Sequence, residues 1–137
     1  MTKEEKDLLF SDLCSRLPYD VKVRRIEHVC EGHTIESVET LNVGWLNEFS
    51  DNVVLKPYLF PLSSMTEEQK KFFKDRPIFL DFENELVVKE DFFGNSQFTM
   101  LDDWMEVMFW LNKNLFDYRG LIRKGLAIDA TKLNIYN

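Results

Sequence analysis

Val21-Lys22-Val23-Arg24-Arg25-Ile26-Glu27-His28-Val29-Cys30, followed by Glu31-Gly32-His33 and Thr34-Ile35-Glu36-Ser37-Val38-Glu39-Thr40, is the stretch whose reading decides the fold. An extended chain here puts Val21, Val23 and Arg25 on one side and Lys22, Arg24 and Ile26 on the other. The β-branched content adds to this, and a strand is predicted over residues 21–30. Glu31-Gly32-His33 reads as a hairpin turn. A second strand is expected over residues 34–43. Its apolar positions Ile35, Val38 and Leu41 are three apart, a spacing that also allows a bulge or a helical turn. After a turn at residues 47–52, Val53-Val54-Leu55-Lys56 predicts a third short strand, stopped by Pro57.

Upstream, Thr2-Lys3-Glu4-Glu5 has the form of a capping box. Leu9, Leu13 and Leu17 follow at i+4 spacing, so a helix is predicted over residues 3–17, ending before Pro18. Downstream, Pro57 and Pro61 bracket residues 57–62, read as a rigid connector within a single domain, residues 1–137. Residues 1–56 then form helix plus meander, and residues 63–137 a hairpin and C-terminal helices. Ser64 with Glu67 and Thr66 with Gln69 form overlapping capping boxes ahead of a short helix reaching Lys74. Ile78-Phe79-Leu80-Asp81-Phe82 and Glu85-Leu86-Val87-Val88-Lys89 flank Glu83-Asn84 as a hairpin. Thr99 is the expected cap of the strongest helix. Leu101, Trp104, Met105, Met108 and Leu111 share its apolar face, widened by Val107 and Trp110. One helical turn closed by Gly125, a short strand over residues 126–129 and a fraying end complete the prediction. The expected fold class is α+β: an N-terminal helix on a small antiparallel meander, with a C-terminal helical part completing one core.

The chain has 137 residues, 45% apolar and 30% charged, enough for one domain with a core that needs no disulfide. Lys and Arg number 17 against 24 Asp and Glu, a formal charge of −7. Direct nucleic-acid binding is therefore not expected, since phosphate contact needs a basic surface. No apolar run approaches a membrane span, and the charged N-terminus lacks the apolar region of a signal peptide. With only Cys14 and Cys30, a reducing cytoplasmic location is expected.

Two runs are familiar. Leu17-Pro18-Tyr19, Lys56-Pro57-Tyr58-Leu59 and Pro61-Leu62-Ser63-Ser64-Met65-Thr66-Glu67-Glu68 form one. Asp103-Trp104, Trp110-Leu111-Asn112, Phe116-Asp117-Tyr118-Arg119-Gly120-Leu121-Ile122 and Gly125-Leu126-Ala127 form the other. In these motifs the chain resembles a group of small uncharacterised proteins encoded by phages, prophages and mobile elements of gut Bacteroides-type bacteria. The resemblance implies a mobile-element setting and a cytoplasmic location. It brings no activity, cofactor or catalytic residue.

His28, Cys30 and His33 are the one cluster of metal-ligand types, with Cys14 or Glu31 as a conceivable fourth ligand. No second pair accompanies them, so strand and turn residues are expected, without metal or other cofactor. The five glycines make no phosphate-cradling run, and no nucleophile signature surrounds either cysteine. Between residues 77 and 106 stand eight acids and one base, which makes Asp81, Glu83 and Glu85 candidate binding residues on an acidic face. Tyr118 and Arg119 are the other candidates, being residue types enriched at interface hot spots. The function expected is a non-catalytic accessory or protein-interaction module of a mobile genetic element, with a protein as partner and no membrane. One alternative is an acidic inhibitor of a host nucleic-acid-binding protein. Another is a small hydrolase or metal enzyme using His28, Cys30 and His33. The oligomeric state is open.

Overall fold

The computed structural model describes residues 1–74, 76, 78–81, 85–88 and 97–136, excepting the side chains of residues 79, 88 and 97–101. Helix α1 (Lys3–Arg16) opens with the capping box: Glu5 N–H donates to Thr2 Oγ1 at 3.1 Å, and Thr2 N–H to Glu5 Oε1 at 3.0 Å. Strands β1 (Lys22–Cys30) and β2 (His33–Thr40) form the expected antiparallel hairpin. Gly32 takes φ +75° in its turn, where a side chain would be strained. The one register shift lies in β1, between His28 and Cys30, not among the three-spaced residues of β2.

β2 stops at Thr40, short of Val43. Asn42 then caps a helix that the turn reading missed, α2 (Val43–Asn47), its Oδ1 accepting from Trp45 N–H at 2.8 Å. Strand β3 (Val53–Pro61) corrects the connector assigned to residues 57–62: Pro57 does not stop the strand. Pro57 is the last residue of β3 paired to β1, and Pro61 the last paired on the other side. At ladder ends a missing N–H costs little.

The third strand also lies beside β1 and not beside β2. The sheet order is β2-β1-β3-β6, with β6 (Phe116–Asp117) and β7 (Ile128–Asp129) both parallel to β3. The architecture is α+β on a mixed, mostly antiparallel sheet.

Of the two overlapping boxes only Thr66/Gln69 forms, opening α3 (Glu67–Lys70) and a 3-10 turn to Phe73; the Ser64 hydroxyl donates instead to Pro61 C=O. The second hairpin is present as β4 (Ile78–Leu80) and β5 (Leu86–Val88). Glu83 and Asn84, at its turn, lie outside the described residues.

Helix α4 (Gln97–Lys113) starts before Thr99, which is therefore inside the helix and not its cap. Val107 and Leu111 are fully buried, and Trp104 and Met108 are half-buried against the same cluster. Met105, expected on the apolar face, is 48% exposed, so the buried stripe is narrower than expected. Leu9, Leu13, Val21, Val23, Leu55 and Leu121 belong to one buried cluster, Ile78, Val107 and Leu111 to another. Phe60 on β3 packs against both.

The C-terminal run is pinned, correcting the expected fraying. Tyr136 Oη donates to Tyr58 C=O at 2.6 Å and accepts from Lys22 N–H at 3.0 Å. Burial pushes the Tyr136 phenol up to about 12.

Candidate functional site

The motif run begins on β6. Asp117 ends that strand, and its carboxylate accepts from Leu121 N–H and Ile122 N–H, both at 2.9 Å. The buried carboxylate thereby supplies the acceptors that these amides of the next turn need. Gly120, at φ +72°, lets the chain reverse. The turn closes with Leu126 N–H donating to Leu121 C=O and Gly125 N–H to Ile122 C=O, Gly125 being at φ +74°. These are the two bonds of a Schellman closure, so the expected Gly125 cap is present, though only a hydrogen-bonded turn precedes it. Leu121 is buried and Ile122 half-buried.

Tyr118 and Arg119 are held by α1 and by the end of α4. Leu9, Asp12, Leu13 and Arg16 share one helical face, which puts a charged pair inside the buried stripe. Asp12 and Arg16 are both fully buried. Arg16 donates Nε–H to Asp12 Oδ2 at 2.8 Å, and Nη2 to Asp12 Oδ1 at 3.1 Å and to Phe116 C=O at 2.7 Å. Arg119 reaches the same Asp12 at 3.4 Å and Ser15 Oγ at 3.2 Å. Both guanidinium groups lie near the Tyr118 ring, Arg16 at 5.3 Å and Arg119 at 5.0 Å from its centroid. Its hydroxyl donates to Asn112 Oδ1 at 2.9 Å.

An open groove of about 640 Å³ runs between this turn, Leu62-Ser63 and Glu85-Leu86. It brings three of the five candidate residues together: Glu85, Tyr118 and Arg119. Asp81 stands next to it. Asp81 N–H donates to Glu85 C=O at 2.9 Å, and Glu85 N–H to Asp81 Oδ1 at 3.0 Å. Glu83 lies outside the described residues. Leu62, Leu86 and Ile122 give the groove apolar wall, and Arg119, Arg123 and Lys124 give it positive charge opposite Glu85. The sequence reading missed Asp12, Arg16 and Asn112. For the first two, the i, i+4 spacing inside a leucine stripe was an available signal.

The other candidates stand elsewhere. His28, Cys30 and His33 are exposed on the β1–β2 hairpin, and Cys14 is exposed on α1. Among the described residues no group of three His, Cys, Asp or Glu could hold a metal ion. No described helix is long and apolar enough to cross a membrane. In the acidic block, Arg76 binds Asp103 at 2.6 Å and Glu106 at 3.0 Å, lies over the Phe72 ring at 4.2 Å and holds the Glu106 carboxyl below its ordinary range. Comparison of the chain with models of protein families, with curated proteins and with solved structures returns no match.

Proposed function

We propose that this chain is a non-catalytic protein-interaction module of a mobile genetic element, working in the cytoplasm and gripping a partner protein through the groove beside Tyr118 and Arg119. The observation that carries the reading is the fixing of these two side chains, Arg119 by Asp12 and Ser15 of α1 and the Tyr118 hydroxyl by Asn112 of α4. Side chains already held in place lose little entropy on binding, so they make efficient anchors. The apolar wall beside three cations fits a partner segment that presents an apolar side chain next to a carboxylate. The acidic-inhibitor reading draws less support, because Asp103 and Glu106 already share Arg76.

The test is a photo-crosslinking side chain placed at Ser63, on the groove, or at Thr34, on the far hairpin, in the native host. One protein captured from position 63 alone, and lost when Arg123→Glu is added to a folded chain, supports the proposal. Equal capture from both positions, or capture indifferent to Arg123→Glu, overturns it.

A further inference from the structure

A second cavity, of about 530 Å³, lies where the first turn of α1, the β1–β3 pair and the Gly125 turn meet. The ladder register sets its chemistry. Arg24 lies directly across from Lys56 and Ile26 across from Val54, so these four share one face of the sheet. Ile26, Val54 and Lys56 line the cavity, His28 joins them from β1, and Lys6 and Lys124 enter from the other two sides.

The acids at this site are already engaged. Glu5 is bound into the capping box, and those bonds with Thr2 hold its carboxyl below the ordinary range. Asp51 pairs with Lys6. Lys56 has no carboxylate partner among the described residues, Lys124 stands in the field of the Glu5 carboxylate without a salt bridge to it, and Arg24 rests on Tyr58, its Nε–H 3.2 Å from the hydroxyl and its guanidinium 5.9 Å from the ring. Like charges directly opposite on a sheet face are destabilising. Lys6, Lys56 and Lys124 outnumber Glu5 and Asp51 around the cavity, a local inversion of sign in a chain of net charge −7.

We propose that this cavity binds a small organic phosphate, a phosphomonoester of mononucleotide size. The lysines answer the phosphate, and Ile26, Val54 and the buried Leu126 offer apolar surface to the rest of the molecule. The volume lies within the range of small-molecule sites, roughly 300–1,000 Å³. The site is separate from the groove at Tyr118, although Lys124 borders both.

Isothermal titration and amide chemical shifts of the full chain test this, with adenosine 5′-monophosphate, adenosine and inorganic phosphate as probes. The monophosphate is expected to bind one to one and to move the amides of Ile26, His28, Lys56 and Gly125. Phosphate and adenosine should each bind at least tenfold more weakly. Lys56→Glu should weaken the monophosphate at least tenfold, whereas Lys70→Glu, on remote α3, should not. Lys56→Glu, which places an acid across from Arg24, should itself melt no lower than the parent without ligand, which shows that the loss is one of binding and not of folding. Adenosine binding as tightly as its phosphate, affinity indifferent to Lys56→Glu, or no shift at millimolar monophosphate would each overturn the proposal. A 5′-phosphorylated oligonucleotide binding far more tightly than the monophosphate would also overturn it, in favour of a nucleic-acid end.

Discussion

Replacing Asp12 by Ala tests the buried pair beneath the motif. Asp12 and Arg16 are both fully buried, and Asp12 takes two of the three hydrogen bonds that Arg16 makes. Without it the guanidinium keeps only the Phe116 carbonyl, and an uncompensated buried charge of this kind costs about 3–5 kcal/mol. Set against a total stability on the order of 5–15 kcal/mol, that is a large share. For a domain of this size it lowers the melting temperature by about 10–15 °C. Arg16→Met should cost less, because Arg119 still stands 3.4 Å from the stranded carboxylate. The double variant Asp12→Ala with Arg16→Met removes both charges, and should lose less than the sum of the two single losses. Urea titrations of all four proteins at one pH, followed by far-ultraviolet circular dichroism, supply the cycle. A loss below about 1 kcal/mol for Asp12→Ala, or single losses that simply add in the double variant, would refute the reasoning.

Tyr136→Phe leaves Lys22 N–H and Tyr58 C=O without their bridge, and should cost about 1–3 kcal/mol by denaturant titration. The folded phenol ionises near 12 and the unfolded one near 10, so the folded state holds the proton in between. Stability should therefore fall between about pH 10 and 12, more steeply in the parent than in Tyr136→Phe, as thermal melts across that range will show. Gly125→Ala meets open space at its Cβ but must hold φ +74°, so the cost is that of the backbone alone, about 1–2 kcal/mol. Gly125→Asn should cost less, a comparison that melting curves resolve. Asp117→Ala frees two amides of the turn and should cost about 1–2 kcal/mol, with hydrogen exchange rising first at Leu121 and Ile122.

What was legible in the sequence is what short stretches decide. Thr2 with Glu5, Thr66 with Gln69, Gly32 and Gly125 each fix their neighbours through bonds spanning a few residues, and each stands where the pattern puts it. Asn42 carried the same kind of signal for α2, hidden by the β-branched residues around it. Pro57 was misread because a strand proline takes its meaning from which edge is paired at that residue, and that is decided by a partner far along the chain. The site divides in the same way. Tyr118, Arg119 and Glu85 were visible as residue types, but Glu85 reaches the groove only through the fold. Asp12 and Arg16 could be placed on a buried stripe from spacing alone. Their partners Phe116 and Arg119, some hundred residues away, could not.

The edge of β3 has a consequence for how the chain comes off the ribosome. By Pro61, α1, the hairpin and β3 have all been made, yet one side of β3 is still without its partners. Phe116-Asp117 and Ile128-Asp129 supply them. Those partners arrive up to about 70 residues later, or roughly 3–14 seconds at ordinary elongation rates. Through that interval β3 offers its backbone to any passing strand, and the guanidinium of Arg16 lacks the Phe116 carbonyl it will be buried against. A nascent chain stalled between these points should be a client of ribosome-associated chaperones. For the same reason a cut at residues 57–62 should yield two fragments that fold only in each other's presence.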